Sequence, residues 1–443
     1  MNKMNSSKKF LIAGLFLLVA GLLFGITGTL QYCIPGFLKA GLSFEKIRPL
    51  HVSSVLFWII LSAVGSVINY LQEHSGREIR FPVLVKIQFW IFVLTIPVIL
   101  CSYLFGYFGG REYWEFHPVL AIPIVTGWLL FLIHFFSTLK SLKQQPVYVW
   151  MWCTGIVFFL FTFLESYLWL IPYFRNNIIT DMTLQWKSYG SMVGSWNMLI
   201  YGCSIYLMDK ISGHQQYSFS KTAFLLYFLG LFNLMFNWGH HIYSLPTHSY
   251  IKYISYAVSM TELLILGRII YNWKATLSTA KKHIHYLSYR FLLAADVWVF
   301  LMLAQAILIS VPAINLYTHG THITVAHTMG ATIGINTMLL FSFVYDIFGT
   351  KKGTIHSKKL FDYGYMMANI SLFIFCLSLI IAGILRSKWQ MNPDQPAFST
   401  MMQQLSPFYI LFCVSGITLA AGFFLILYHL IRNTGNNAKN QLF

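Results

Sequence analysis

The stretch YTHGTHITVAHTMGATIG, residues 317–334, places His327 and Met329 two positions apart inside an apolar run. On an α-helix two positions correspond to about 200° of rotation, so the two side chains leave from opposite faces. Histidine imidazole and methionine thioether are both ligands of haem iron. One helix could therefore offer an axial ligand to a haem on each side of it. An isolated histidine and methionine with this spacing are more often a buried histidine and a packing methionine. The rest of the chain has to decide between packing and haem binding.

The composition is that of an integral membrane protein. The 443 residues are 57% hydrophobic and only 10% charged, whereas soluble domains average about 25% charged residues. The sequence predicts an all-α protein, one domain over residues 1–443, with twelve stretches that could span roughly 30 Å of hydrocarbon. The predicted spans are 10–35, 50–71, 84–107, 118–139, 148–174, 187–208, 222–245, 249–272, 289–313, 322–347, 361–386 and 407–432. The first is too long for a signal peptide and has no clear cleavage site, so we expect a retained helix.

Lysine and arginine in the loops predict the orientation. With the N-terminus inside, the inner segments hold about 19 of the 30 basic residues, which favours both termini in the cytoplasm. The net charge of +17 then indicates contact with anionic membrane lipid at the inner leaflet. No basic stretch is interleaved with base-stacking aromatic residues, so we expect no nucleic-acid partner.

All six cysteines lie within or beside apolar spans, and none forms a CxxC or CxxCH motif. A disulfide framework and a covalently attached c-type haem are therefore both unexpected. The cysteines are interpreted as small buried hydrophobic residues.

Four histidines are predicted to share one depth near the outer face. His51 opens the second span, His240 and His241 close the seventh, and His327 lies early in the tenth. A polar group inside a membrane is costly and points to function by default. A metal cluster explains this placement better than interfacial histidines do. The two adjacent histidines can converge on one metal only where the helix frays, which Gly239 before them favours.

The remaining histidines are given simpler interpretations. We expect His134 to be a structural histidine without a functional partner. Solvated side chains in loops or at inner helix ends are expected for His74, His214, His283, His285, His356 and His429. A twelve-helix transporter is a further alternative, but it predicts broken helices at the membrane midplane, whereas the ionisable residues cluster near one face.

Four strings resemble the catalytic subunit of the haem–copper oxidase superfamily, within it the nitric oxide reductase branch. RPLHVSSVLFW at 48–58 is similar to the segment of a low-spin haem ligand, and GHH at 239–241 to a non-haem metal pair. GREYWE at 110–115 and YTHGTHITVAH at 317–327 resemble motifs specific to the reductase branch. The resemblance covers nearly the whole chain.

The resemblance implies a role for each matching residue. His51 is expected to bind the low-spin b-type haem, and His327 the high-spin b-type haem, where catalysis takes place. His240 and His241 are expected to hold non-haem iron or copper. The other implied roles are Arg111 for the haem propionates, Glu112 and Glu115 for proton entry, Glu112 also for a possible calcium ion, and Glu262 as a buried catalytic glutamate. A glutamate hydrogen-bonded to a neighbouring helix is an equal alternative for Glu262.

The sequence departs from the family at two places. Met329 stands where the family has the second histidine of the low-spin haem, and a His51–iron–Met329 centre remains feasible with a raised potential. The sixth span has Tyr189, Val193 and Asn197 where the family has a third metal-binding histidine and two glutamates. Two histidines rarely satisfy a first-row metal, so Tyr189, Glu165 or water is the expected further ligand.

The implied function is a respiratory oxidoreductase of a bacterial inner membrane, with its metal centres near the periplasmic side. Electrons would come from a cytochrome c-type subunit or soluble donor outside, and nitric oxide reduction to nitrous oxide is the favoured reaction. Oxygen reduction and nitric oxide disproportionation are alternatives within this class. A gas-binding or electron-transfer haemoprotein without turnover is the alternative of another class, and the missing third histidine is its best argument.

Overall fold

A computed structural model describes residues 6–34, 36–261, 286–349 and 358–439, and these form helices joined by turns. We number the long helices α1 to α12 in chain order. They are α1 Ser6–Cys33, α2 Phe44–Ser75, α3 Pro82–Leu104, α4 Ala121–Leu139, α5 Val147–Glu165, α6 Ile178–Ser212, α7 Lys221–Phe236, α8 249–261, α9 Tyr286–Ser310, α10 His322–Phe348, α11 Lys358–Met391 and α12 Phe398–Lys439. Short helices at Pro172–Arg175 and Pro312–Thr318 precede α6 and α10.

Ten helices in the described part of the chain are long and apolar enough to cross a membrane. Two of the twelve predicted spans, 187–208 and 249–272, are not among them. The first lies inside α6, whose serines and glycines lower its hydropathy. These small residues serve packing instead, because a Cβ on Gly190 would lie 2.8 Å from Trp238 Cβ. The second runs past residue 261, outside the described residues.

The chain divides into two compact units that alternate along the sequence. Unit 1 comprises the described residues of 1–18, 53–283 and 306–316. Unit 2 comprises those of 19–52, 284–305 and 317–443. The predicted single domain stays a prediction. The division separates the site residues: His51, His327 and Met329 belong to unit 2, whereas His240 and His241 belong to unit 1.

Helix α10 changes its winding in the middle. It is α-helical over His322–Met329, π-helical over Gly330–Thr337 and α-helical again over Met338–Phe348. Two glycines in the π segment allow α9 to pack closely, since a Cβ on Gly330 would lie 2.0 Å from Met302 Sδ. At Gly334 the same added atom would lie 2.4 Å from Trp298. The segment starts immediately after Met329, and π segments of this kind are frequent at functional sites.

The expectation of a solvated side chain was wrong for His429. It is fully buried, its Nδ1 is 3.0 Å from the Tyr345 hydroxyl, and its Nε2 is 2.8 Å from Asn433 Nδ2. His74 is also partnered, by Gln145 and Tyr148. Buried polar groups need hydrogen bonds, and amides and phenols from neighbouring helices provide them. His134 is a buried histidine as expected, but its Nε2 does have a partner, Gln88 Oε1 at 2.9 Å.

Candidate functional site

Helix α1 contacts the His51 side chain at two positions within unit 2. Helix α2 begins at Phe44, so His51 lies about two turns inside it rather than at its start. Its Nδ1 donates a hydrogen bond to the Gly21 carbonyl at 2.7 Å. A carbonyl can only accept, so the proton is on Nδ1 and the lone pair is on Nε2. Metal-binding histidines usually donate their other ring N–H in this way.

Gly25, one turn beyond Gly21 on α1, makes room for the His51 ring. A Cβ at Gly25 would lie 2.9 Å from His51 Cε1 and 3.0 Å from Nδ1, closer than real Cβ contacts come. The glycine therefore allows α1 to approach closely enough for the Gly21 hydrogen bond. Together the two glycines orient the imidazole and its tautomer, which suits an iron ligand at Nε2.

His327 has a buried ring nitrogen without a hydrogen bond. In the described part of the chain, no donor or acceptor reaches its Nδ1, although this atom is inaccessible to solvent. A buried unsatisfied nitrogen costs about 1–3 kcal/mol. Its neighbour Ala326 is fully buried, and Thr321 caps the start of this segment by accepting from Ile323 N–H. Met329 is half-buried on the same regular segment, so the two side chains point to opposite faces as predicted.

The sequence analysis missed a cluster of cationic and aromatic residues in unit 2. His322 Nε2 lies 3.3 Å from the Tyr409 hydroxyl, and Arg386 acts electrostatically on His322, Tyr409 and Tyr32. The Arg386 Nε is buried and, among the described residues, has no hydrogen-bond partner. Arg48, three residues before His51, also acts on Tyr32. These arginines could hold a carboxylate of a bound cofactor.

His319, in the same string as His322, is not one of these cations. Burial lowers the pKa of His319, which lies between two helices, so its imidazole is neutral at physiological pH. The positive charge of the cluster therefore comes from the arginines. A sequence signal did exist, because Arg386 ends the predicted span 361–386, but only the packing shows what it faces.

His240 and His241 lie in unit 1, on a 3-10 turn that extends α7 over Asn237–Ile242. The predicted departure from regular α-helix is confirmed there. The two rings are 4.2 Å apart between centroids, and His241 stacks on Trp186 of α6 at 4.6 Å with an interplanar angle of 12°. Gly190 of α6 permits this approach, since its missing Cβ would collide with Trp238 on the turn.

The two residues expected to complete a metal site both contact other side chains in unit 1, and the carboxylate of Glu165 is the one whose ligand atom is engaged. Tyr189 is 5% exposed and packs edge-to-face on Tyr113 at 5.5 Å. Glu165 forms an ion pair with Lys187. Among the described residues, no group of three His, Cys, Asp or Glu side chains could hold a metal ion. The described histidine pair alone therefore falls short of the usual ligand set of a first-row metal, and Glu262 lies outside the described residues.

The GREYWE string forms a tight turn in unit 1. The Gly110 N–H donates to the Glu115 carbonyl at 3.1 Å, and a Cβ at Gly110 would lie 1.8 Å from the Trp114 carbonyl oxygen. Only glycine fits that position. Arg111 points to the start of α6, where its Nη1 donates to Asp181 at 2.7 Å and its guanidinium covers the Trp169 ring. Its predicted contact with haem propionates stays a prediction, as do the proton and calcium roles of Glu112 and Glu115.

The helical arrangement defines the class of protein. The chain adopts the fold of a haem–copper oxidase subunit I, because it superposes on a solved structure described as a heme-copper terminal oxidase dimer with a TM-score of 0.75. The superposition covers 98% of this chain and 84% of that chain at 16% identity. Such a low identity speaks for the fold alone.

The chain belongs to the cytochrome c and quinol oxidase polypeptide I family, whose sequence profile matches residues 5–418. It is 23% identical to a nitric oxide reductase subunit of Stutzerimonas stutzeri, over 95% of this chain and 93% of that protein. It is 22% identical to cytochrome c oxidase subunit 1 of Rhodobacter capsulatus, over 97% of this chain and 85% of that protein. The family is one of multi-pass membrane oxidoreductases that bind haem, so the resemblance seen in the sequence is confirmed at that level.

Proposed function

We propose that this protein is a respiratory oxidoreductase that reduces nitric oxide to nitrous oxide. The observation that carries the proposal is the state of the ring nitrogens of His51 and His327 in unit 2. One imidazole has its tautomer set by the Gly21 carbonyl, and the other has a buried nitrogen that no described residue satisfies. The state of His51 is the usual one of metal-binding histidines, and the unpartnered nitrogen of His327 lies in a segment that resembles that of a haem ligand. Similarity to the nitric oxide reductase of Stutzerimonas stutzeri over 95% of the chain supports this choice of substrate.

In this proposal, different residues of unit 2 bind each of the two b-type haems. His51 and Met329 would bind the low-spin haem, His327 would bind the high-spin haem, and Arg48 and Arg386 would offer charge to haem carboxylates. When bound, the haems supply one-electron transfer and a site for a diatomic gas. A thioether opposite an imidazole favours the reduced iron. The overall reaction converts two nitric oxide molecules, two electrons and two protons into nitrous oxide and water.

Electrons and protons would reach these groups from the outer face. A cytochrome c-type subunit or soluble donor is the proposed electron source, with both termini in the cytoplasm of a bacterial inner membrane. Arg111, Glu112 and Glu115 are the proposed entry for protons. The Arg111–Asp181 pair is 22% and 13% exposed at its two side chains, so a charged group at this turn has access to solvent.

The test is haem and gas analysis of the purified protein. Pyridine haemochromogen spectra should show two b-type haems per chain, and reduced cytochrome c should support nitrous oxide formation measured by gas chromatography. His327→Ala should lose the high-spin haem and all turnover while retaining the low-spin spectrum. The exposed His214→Ala is the matched control and should keep both haems. A protein without any b-type haem would refute the proposal.

A second candidate is a gas-binding or electron-transfer haemoprotein without turnover. It is favoured by the unit 1 contacts that engage Tyr189 and Glu165. Metal analysis separates the two candidates. Iron equal to haem, without copper and without nitrous oxide formation, would support this haemoprotein, whereas a third metal per two haems would support the enzyme.

A further inference from the structure

Two free cysteines from distant parts of the sequence meet in unit 2. Cys33 is the last residue of α1, and Cys413 lies on α12. The Cys33 thiol contacts the Tyr409 carbonyl at 3.3 Å, and the Thr29 hydroxyl donates to Cys413 Sγ at 3.7 Å. Each pair is one turn apart on its helix, so the contacts interlock and align the two helices side by side.

This interlocking brings the two sulfur atoms together. The contacts of Cys33 with Tyr409 and of Thr29 with Cys413 place both thiols on the surfaces where α1 and α12 face each other. Cys413 is 5% exposed, whereas Cys33 is only half-buried at the helix end. Disulfide formation requires cysteines on facing, closely packed segments, and the two contacts place Cys33 and Cys413 on such segments. The other four cysteines are free thiols as well, and three of them are buried.

We propose that Cys33 and Cys413 form a redox-active dithiol that closes to a disulfide between α1 and α12. The oxidant is a disulfide of the outer compartment, either a small molecule or a thiol–disulfide oxidoreductase. The half-buried Cys33 thiolate attacks one sulfur of this oxidant and releases one thiol. Cys413 thiolate then attacks the mixed disulfide, releases the second thiol and leaves the Cys33–Cys413 bond. Two thiol protons are lost, and the external disulfide is reduced to two thiols.

The proposal does not depend on haem binding, so its test reads the cysteines directly. Membranes are quenched with acid, and free thiols are blocked with N-ethylmaleimide under denaturing conditions. Disulfides are then reduced and labelled with iodoacetamide, and peptides are mapped by mass spectrometry. We expect the second label on Cys33 and Cys413, and the first on the other cysteines. Purified protein reduced with dithiothreitol should regain the bond in oxidised glutathione.

The controls use the other cysteines of the chain. Cys413→Ser should leave Cys33 with the first label or as a glutathione adduct, and Cys33→Ser should leave Cys413 with the first label. Cys376→Ser, at a buried cysteine on α11, should leave the disulfide unchanged. The proposal is overturned if both thiols of the unaltered protein carry the first label after exposure to oxidised glutathione. A glutathione adduct on Cys33 without the internal bond would overturn it equally.

Discussion

The surroundings of His51 and of His241 differ in what they leave for a metal. In unit 2, a backbone carbonyl accepts a hydrogen bond from the Nδ1–H of His51, and a glycine leaves space for its ring. In unit 1, an indole covers the face of His241, and the carboxylate of Glu165 is paired with Lys187. In unit 2 the Nε2 atom of His51 is left available to bind iron, whereas in unit 1 the His241 ring and the Glu165 carboxylate contact other side chains. The proposed haem ligand and the predicted non-haem metal pair therefore lie in separate units and can be tested separately.

The largest effect is expected when the prepared ligand is removed. His51→Ala should abolish the low-spin haem, because the next imidazole on α2, His74, lies about six turns away and cannot replace it. The haem-to-protein ratio should fall by half, whereas His241→Ala should leave that ratio unchanged. Pyridine haemochromogen spectra of the two variants measure this directly. Equal haem loss in the two variants would contradict the proposed difference between the two regions.

A smaller effect is expected when an added methyl group crowds the His51 ring. Gly25→Ala places a methyl group 2.9 Å from His51 Cε1, so the ring must move or α1 must shift. Overpacking of this kind costs about 1–3 kcal/mol of folding stability. We expect a partly high-spin optical spectrum together with a lower unfolding midpoint. Gly28→Ala is the matched control on the same helix, because its Cβ would lie 3.3 Å from Ile47 and does not meet His51.

An exchange of ligand type should change the potential and keep the haem. Met329→His should retain a six-coordinate low-spin haem with a lower reduction potential, since an imidazole favours the oxidised iron more than a thioether does. Spectroelectrochemical titration measures the shift. A potential equal to that of the unaltered protein would show that Met329 is not a ligand.

The smallest effect is expected in unit 1. Lys187→Gln breaks the pair with Glu165, but the lysine side chain is 43% exposed, so the free energy of unfolding should change by at most about 1 kcal/mol. The iron-to-haem ratio should also stay the same. A rise in bound metal would mean that Lys187 had withheld a ligand, and it would restore Glu165 as a candidate for the non-haem site.

Much of the fold follows from hydropathy alone. Uninterrupted apolar runs allow no other secondary structure in a membrane, so the helices were predictable from composition and length. The departure of His240 and His241 from regular helix was signalled by Gly239. The start of α2 was missed because Arg48 and Pro49 read as a boundary, although the helix begins at Phe44 and tolerates both. His429 was misjudged because burial at a helix end depends on neighbouring helices.

The contacts that prepare the site were not predictable in the same way. The Gly21–His51 bond depends on how α1 and α2 face each other, and the sequence shows glycines without showing what approaches them. The Glu165–Lys187 pair and the arginine cluster around Arg386 likewise join residues that are far apart in the chain or on different helices. Residue types at the ligand positions could be read from motifs, but their partners needed the packed helices.

The π segment of α10 has a consequence for the direction of the His327 and Met329 side chains. Each residue of regular helix advances the chain by about 100°, and wider winding advances it less, so eight π residues offset the phase of everything before them. The C-terminal end of the helix, Met338–Phe348, is almost wholly buried and anchored. Rewinding Gly330–Thr337 into regular helix would therefore swing His327 and Met329 around the axis together. The direction of both side chains is thus set by a stretch of chain that contains neither of them.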